Sequence, residues 1–271
     1  MLAIPKFPEE FRKLCREELH TSHTSGILPG YVQANLLILP AEEAEDFRDL
    51  CFRNPVACPL LAHTVGDPNT LSNSAIIKEG TFDIRADFPK YNIYEKGSLV
   101  EQKLNCRDEW GAGYVGFLIG CSYSFERALS QAGLPPRNVV EKKNVAMFKT
   151  SKMLDPAGIF IECPYVVSMR PYKTQDLPKV REITREFRLT HGEPIDWGYD
   201  GAERLGIEDL QSPEYGDSIT IADDEIPVFW ACGVTPQLAV ETVGHLINGP
   251  VIGHTPGHML VCDIKDENIC N

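Results

Sequence analysis

The chain has 271 residues, of which 43% are hydrophobic and 24% charged, the composition of an ordinary globular protein. Lys and Arg number 26 against 39 Asp and Glu, and the formal charge of −13 repels phosphate backbones, so no nucleic-acid partner is expected. No apolar run approaches the ~20 residues that span a bilayer, and no membrane partner is expected either.

The nine cysteines favour free thiols in a reducing compartment. Their number is odd, several lie inside apolar runs, and no pair has the CxxC spacing of a zinc site. The first residues, from Met1 to Glu10, show neither an apolar signal core nor an Arg-rich transit pattern. We therefore expect a soluble intracellular protein, cytoplasmic or, if a longer precursor exists, from the mitochondrial matrix.

Strand and helix patterns alternate along the chain. Hydrophobic periodicity and stop signals predict a first group of elements: helix 9–19, loop 21–30, strand 33–39, helix 41–53 and a loop-rich stretch 61–111. A second group follows: strand 114–119, helix 124–132, strands within 144–148 and 158–169, helix 177–189, strand 227–231, a helix opened by Thr235 and Pro236, and strand 259–262. This alternation indicates the α/β class, and no linker-like segment divides the chain.

Two segments of the chain resemble one another when Cys121 is aligned with Cys232. Residues 115–129 and 226–240 both show an apolar strand, a small residue, the cysteine, a Ser or Thr helix cap, and Glu or Gln two residues later. We interpret this as a candidate internal duplication, with chance similarity as the alternative. Matching strand–turn–helix topology would support the duplication.

These two turns are the candidate functional sites. A cysteine just before a helix N-terminus can have its pKa lowered, which would make Cys121 or Cys232 a nucleophile, and the same N–H groups can hold a carboxylate. Neutral hydrogen-bonding groups nearby are Ser122, Ser124, Thr235 and Gln237. The alternative is that both cysteines are small core residues and that the hydroxyls only cap helices.

Four further polar residues stand out. Arg170 follows an apolar run directly, as suits bidentate carboxylate binding, although a structural ion pair is the alternative. Asn35 lies within an apolar strand and is either a structural bridge or a substrate contact. His254 and His258 flank a Pro-Gly turn, which favours a general acid or base over a metal pair on a helix.

Several motifs together resemble the D-glutamate cyclase family, whose bacterial members are named as hydro-lyases. They are residues 29–35 (PGYVQAN), 54–61 (NPVACPLL), 83–85 (DIR), 117–126 (FLIGCSYSFE), 167–171 (VSMRP), 216–217 (GD), 227–237 (PVFWACGVTPQ) and 254–260 (HTPGHML). The resemblance implies a mixed-sheet α/β fold with two interlocked subdomains in a single unit, 1–271. We place them at 1–133 plus 217–271, and at 134–216.

The resemblance also implies an enzyme, a lyase that removes water from D-glutamate to give 5-oxo-D-proline. Our own hypothesis assigns a substrate carboxylate to Arg170, the amine proton to His254 or His258, and the γ-carboxyl to Cys121, either as an acyl carrier or as a donor. Glu126 assists Cys121 in catalysis. The residues predicted to contact the substrate are Asn35, Ser122, Ser124, Arg170, Cys232, Thr235 and Gln237.

No cofactor is expected, and a divalent metal is left open. The expected partner is a small amino or carboxylic acid, and a homo-oligomer stays open. The alternatives to D-glutamate cyclisation are a hydro-lyase acting on another small hydroxy or amino acid, and a non-catalytic module that binds small acids.

Overall fold

The structure is a computed structural model and describes residues 5–270. The strands are β1 (Tyr31–Leu39), β2 (Leu60–His63), β3 (Tyr91–Glu95), β4 (Ser98–Lys103), β5 (Val115–Gly120), β6 (Ala146–Met153), β7 (Pro164–Lys173), β8 (Asp196–Trp197), β9 (Glu225–Ala231), β10 (Val251–His254) and β11 (Leu260–Lys265). The helices are α1 (Pro8–Arg16), α2 (Ala41–Arg53), α3 (Glu126–Gln131), α4 (Arg137–Glu141), α5 (Leu177–Arg185), α6 (Gly198–Arg204) and α7 (Thr235–Val243). None of the helices within residues 5–270 is both long and apolar enough to cross a bilayer.

Strand β1 lies at the centre of the first sheet. The order of that sheet is β2-β5-β1-β10-β3-β4, and β11 also pairs with β1. One edge of β1 pairs with β5 along most of its length. The other edge is divided: β11 takes its first part, where Gln33 lies opposite Val261, and β10 takes its last part, where Leu37 lies opposite Gly253. Three strands therefore depend on β1, which is buried from Val32 onward.

The second sheet has the order β6-β7-β9-β8. With both sheets flanked by helices, the predicted α/β class is confirmed. We expected mixed sheets, but the strand pairs assigned in residues 5–270 are all antiparallel, so neither sheet combines parallel and antiparallel pairs. Helix α2 does connect two strands of like direction, β1 and β2, but β5 inserts between them. In the same way α5 connects β7 to β8, and β9 inserts between those two.

The two halves therefore share one order of elements. In each half, a strand leads through a helix to a second strand. A later strand inserts between these two strands and leads into another helix. The first set is β1, α2, β2, β5 and α3, and the second set is β7, α5, β8, β9 and α7. On the far edge, β11 pairs with β1 as β6 pairs with β7. The similarity around the two cysteines thus extends to topology, as a duplication requires.

The two turns are also held by the same pair of hydrogen bonds. In each, the cysteine N–H donates to a carbonyl on the neighbouring strand, and a hydroxyl three residues later accepts from the N–H of that same strand residue. The bonds are Cys121 N to Gln33 O (3.0 Å), Gln33 N to Ser124 Oγ (3.1 Å), Cys232 N to Val166 O (3.0 Å) and Val166 N to Thr235 Oγ1 (3.0 Å).

The prediction that Ser124 and Thr235 cap helices is therefore wrong. The residue before α3 is Phe125 and the residue before α7 is Val234, and neither helix start has a side-chain capping bond. Each hydroxyl instead accepts a hydrogen bond from a backbone N–H of the neighbouring buried strand. This N–H lies beyond the end of the inserted strand, β5 or β9.

Each half contributes a helix to the core of the other. Phe125, which precedes α3 of the first half, packs against Trp230 of β9 with 5.6 Å between ring centroids. In the opposite direction, Val240 of α7 is buried in one cluster with Leu37 of β1 and Phe117 of β5. This exchange is the physical form of the predicted interlocking.

The predicted boundary between the subdomains does not coincide with the sheets. We placed residues 217–271 with the first subdomain, but β9 lies in that segment and pairs with β7 and β8 of the second sheet. The two sheets also share a buried cluster, which includes Trp230 of β9 and Leu36 of β1. Strand partners this distant in the chain are set by register, which local patterns do not encode.

Local patterns predicted some elements well and missed others. Helix α2 has the bounds predicted from its periodicity, while α1 ends at Arg16 and is shorter than predicted. The stretch 61–111 was predicted to be loop-rich but holds the hairpin of β3 and β4, whose turn residues Lys96 and Gly97 have φ of 50° and 82°. Because β4 is exposed on both faces, it has no alternating pattern.

The turn bonds give a test of the equivalence of the two halves. Ser124→Ala and Thr235→Val each leave a buried strand N–H without its acceptor, so each should lower the free energy of unfolding by about 1–3 kcal/mol. Urea denaturation measures this. Ser98→Ala, at an exposed residue of β4, is the control and should change stability by less than about 0.5 kcal/mol. Two unequal losses, with one near the control, would contradict the equivalence.

Candidate active site

A buried ion pair joins the two halves. Arg170 on β7 and Glu126, the first residue of α3, meet at 2.8 Å between Nη2 and Oε1, with side chains 0% and 7% exposed. The same Nη2 donates to Ser122 Oγ at 3.1 Å, and Nη1 donates to Ser168 Oγ at 3.2 Å. The guanidinium of Arg170, on the second sheet, thus reaches the turn that follows Cys121.

Arg170 is enclosed on its faces as well as at its tip. Its guanidinium lies over the rings of Phe125 and Trp230, at 5.1 and 5.6 Å from their centroids. We expected Arg170 to hold a substrate carboxylate, but Glu126 already occupies that role and the side chain is fully buried. The geometry shows the alternative, a structural ion pair between Arg170 and Glu126. Arg170 therefore orients Glu126.

Glu126 is held by two donors on the same oxygen. Asn138 donates from Nδ2 to Oε1 at 2.9 Å, in addition to the bond from Arg170. Burial raises the pKa of Glu126 above the ordinary glutamate value, and the nearby Arg170 cation opposes that rise without cancelling it. A carboxylate with this balance is suited to accept and return a proton.

A cavity of about 440 Å³ adjoins Glu126. It lies between the loop at 26–31 and helix α3, and its wall includes Gln33, Tyr123 and Arg127. Small-ligand sites have volumes of about 300–1,000 Å³, so the size suits a small acid. Among the predicted site residues, Glu126 alone lines this cavity. A larger depression of about 640 Å³, which includes Tyr199, holds none of them.

The two cysteines come together, but in an apolar setting. Cys121 and Cys232 lie in one buried cluster with Val166 and Met259. Burial raises the pKa of Cys121 far above its ordinary value and that of Cys232 to about 11. The expected lowering by a helix terminus is therefore wrong, because desolvation outweighs the backbone N–H that reaches each sulfur. Both are neutral thiols near pH 7.

Asn35 connects the two turns. Its Nδ2 donates to the carbonyl of Gly120 at 2.7 Å and to that of Ile119 at 3.3 Å, at the end of β5. The second turn rests on the same amide, because a Cβ at Gly233 would lie 1.9 Å from Nδ2. Of the two interpretations of Asn35, the structure contains the bridge.

Gln237 occupies, in the second turn, the position of Glu126 in the first. Its Oε1 accepts from the Tyr94 hydroxyl at 2.8 Å, and its Nε2 donates to the carbonyl of His254 at 2.7 Å. The counterpart of the charged pair is thus a neutral network.

The two histidines differ in setting. The Nδ1 of His254 accepts from the Leu36 N–H at 3.1 Å, at the gap where β1 passes from β11 to β10, and burial lowers its pKa to about 3. His254 is therefore neutral near pH 7 and a weak base. The pKa of partly buried His258 is also lowered by burial, and its Nδ1 lies 3.1 Å from the Pro256 carbonyl. Within residues 5–270, no three His, Cys, Asp or Glu side chains are grouped as metal ligands.

Sequence reasoning missed three residues around Glu126. Gln33 and Tyr123 line the cavity, and Asn138 binds the carboxylate directly. A signal existed for Gln33, because it stands two residues before Asn35 in a buried strand and shares its face. Asn138 lies in a short helix and carried no such signal.

Removing the partner of Glu126 should be costly and pH-dependent. Arg170→Met leaves a buried carboxylate unpaired and should lower the free energy of unfolding by about 3–5 kcal/mol at neutral pH. The pKa of Glu126 then rises further above its unfolded value, so stability is lost as pH rises and regained as pH falls.

Chemical denaturation at about pH 5 and pH 8 measures this, and the deficit should be larger at the higher pH. The double variant Arg170→Met, Glu126→Gln removes the charge and should recover about 2 kcal/mol of the loss. A deficit that is equal at both pH values and unchanged in the double variant would contradict the pairing.

Comparison with known proteins confirms the resemblance in the sequence. A family model described as D-glutamate cyclase matches residues 115–263. A protein of Schizosaccharomyces pombe named "Putative hydro-lyase" is 43% identical over 97% of this chain and 85% of its own length. Another of that name, from Rubrobacter xylanophilus, is 44% identical over 95% of each chain.

A solved structure, a nitrogen repressor-like protein from Methanococcus jannaschii, overlaps 95% of this chain and 96% of its own at 12% identity. Its TM-score of 0.39 is too low to support an argument about fold or function. The sequence matches, by contrast, extend over nearly the whole chain and include both cysteine turns. The chain belongs to the D-glutamate cyclase family of hydro-lyases.

Proposed function

We propose that this protein removes water from D-glutamate and closes it to 5-oxo-D-proline. Membership of the D-glutamate cyclase family supports the reaction class. The observation that carries the proposal is Glu126, a buried carboxylate with a raised pKa at the wall of a cavity sized for a small acid. This arrangement favours proton transfer to and from a small substrate.

The reaction moves two protons from nitrogen to oxygen. The ammonium of D-glutamate loses one proton, and its nitrogen then attacks the γ-carboxyl carbon to form the C–N bond. The nitrogen loses a second proton, the C–O bond breaks, and the oxygen leaves as water with both protons. Net charge is the same on both sides, so one residue that takes and returns a proton is sufficient.

Glu126 is assigned that proton transfer. The deprotonated carboxylate of Glu126 accepts a proton from the ammonium. The protonated carboxyl group then donates that proton to the departing oxygen. Positioned acid–base groups typically contribute about 10²–10⁴ in rate. Arg170 does not touch the substrate in this assignment. It fixes the carboxylate through Oε1 and limits how far burial raises the pKa of Glu126.

The cysteines and histidines receive lesser roles. Cys121 is a neutral thiol in an apolar cluster, which supports a structural role for it over an acyl carrier. His254 completes the hydrogen bonding of β1. His258 is partly buried and does not line the cavity, so it receives no role in the proton transfer.

Incubation with D-glutamate tests the function directly. The wild-type protein should form 5-oxoproline, detected by chiral chromatography and mass spectrometry, and Glu126→Gln should lower kcat by about 10²–10⁴ because the proton carrier is lost. Glu141→Gln, the same substitution on the neighbouring helix α4, is the matched control and should keep the wild-type rate.

Two outcomes would contradict the proposal. Conversion of another small hydroxy or amino acid, with D-glutamate untouched, would assign a different hydro-lyase. A ligand-induced rise in Tm with D-glutamate and no turnover would assign a binding module.

The role of Cys121 has its own test. Cys121→Ala should retain turnover within about tenfold of wild type, because a neutral core thiol contributes packing and not a covalent intermediate. Steady-state kinetics and intact-mass analysis of the protein during turnover measure this. A loss of about 10³ or more, or a mass increase of an acyl adduct that disappears in the variant, would restore the covalent role.

A further inference from the structure

Gln33 presents an amide oxygen with no donor. It is 3% exposed and lines the cavity beside Glu126. Its Nε2 donates to the carbonyls of Thr24 at 3.1 Å and Ile27 at 3.3 Å, and carbonyls only accept, so the orientation of the amide is fixed. The opposite atom, Oε1, is buried and receives no hydrogen bond from residues 5–270.

Asn138, which donates to Glu126, repeats this pattern. It is 1% exposed, and its Nδ2 donates to Glu126 Oε1 at 2.9 Å and to Ser25 Oγ at 3.2 Å. A carboxylate accepts and does not donate, so this amide is also fixed. Its Oδ1 is likewise buried without a donor from the described chain.

Two fixed amide oxygens thus accompany one carboxylate. All three groups accept hydrogen bonds, and buried acceptors without donors are rare in folded proteins. A bound carboxylate would offer them nothing and would be repelled by Glu126. A primary ammonium offers three N–H donors and a positive charge, which matches both the number and the sign of these groups.

The same cavity also contains one arginine, whose charge is already paired with Asp266. Arg127 lines it, is 30% exposed, and donates to Asp266 at 2.8 Å from Nε. A ligand with both an ammonium and an acid group therefore meets acceptors at Glu126 and a guanidinium at Arg127. Because Arg127 is shared with Asp266, the acceptors around Glu126 are what distinguish an amino acid from a simple acid.

We propose that Gln33 Oε1, Asn138 Oδ1 and the Glu126 carboxylate form a binding site for a primary ammonium group. Resting on the proposed function, this site takes the α-ammonium of the substrate and presents it to the residue that removes its proton. Gln33 and Asn138 are then specificity-determining residues, which distinguish amino acids from acids of the same shape.

Two unreactive probes test the site without turnover. D-2-amino-4-phosphonobutanoate keeps the ammonium and two acid groups but has no γ-carboxyl to close, and 4-phosphonobutanoate is the same molecule without the amine. Calorimetry should show that the wild-type protein binds the amine about tenfold or more tightly than its partner, as expected for a hydrogen bond to a charged group. Equal affinities, or no binding of either probe, would overturn the site.

A matched pair of variants locates the preference. Gln33→Met should bring the two affinities within about threefold of each other, because the oxygen acceptor is lost. Gln175→Met, the same change at an exposed glutamine that does not line the cavity, should keep the wild-type ratio. Loosening of the loop that Gln33 anchors would weaken both probes alike, so the ratio isolates the ammonium. An unchanged ratio in Gln33→Met would assign the preference elsewhere.

The outcome is separable from that of the proposed function. A protein that cyclises D-glutamate but binds both probes equally loses the ammonium site and keeps the reaction. A protein that prefers the amine probe but leaves D-glutamate unchanged keeps the site and loses the reaction. If Gln33→Met does not fold, as judged by circular dichroism, the wild-type ratio still decides.

Discussion

The ion pair between Arg170 and Glu126 is the interaction on which the site depends. Both charges are removed from water, which is costly for each alone and tolerable only when they meet with further hydrogen bonds. Ser122, Ser168 and Asn138 supply those bonds. Because Arg170 and Glu126 come from different halves, the ion pair forms only when β7 and α3 pack together. The orientation of the Glu126 carboxylate therefore depends on the assembled core.

The two halves have the same construction but different chemistry. The first turn carries Glu126 with a charged partner from the opposite sheet. The second carries Gln237, whose amide is satisfied by Tyr94 and His254 and needs no counterion. An amide and a carboxylate have nearly the same shape, so the packing of both helices is preserved while a single titratable group is kept. The first half thus carries the titratable Glu126. The second half carries the neutral turn that packs on Asn35 through Gly233.

Local sequence patterns predicted much of this architecture. The α/β class followed from alternating periodicities, helix α2 from its apolar positions, and the family from motifs along the chain. The similarity between Cys121 and Cys232 pointed to two turns that prove to share their hydrogen bonds. What failed was pairing at a distance. Whether Arg170 faces a substrate or a carboxylate depends on which strand lies opposite, and that is set by the whole sheet.

The properties of individual groups were also set by surroundings that no local pattern records. A cysteine before a helix suggests a lowered pKa, but enclosure by Val166 and Met259 reverses the sign for Cys121. A hydroxyl at the same place suggests a cap, but Thr235 serves a neighbouring strand. Gln33 carried the same local signal as Asn35, a polar residue on one face of a buried strand, but its separate role depends on the cavity that only the fold creates.

The divided edge of β1 has a consequence for how the chain reaches its native state. Every strand pair of the second sheet lies between β6 and β9, whereas one whole edge of β1 waits for β10 and β11 at the far end of the sequence. During synthesis, β5 can pair with one edge of β1, but the backbone groups of the other edge stay free until residues 251–265 have emerged. Closing so long a loop is slow, and until then the open edge of β1 can bind wrong partners or chaperones.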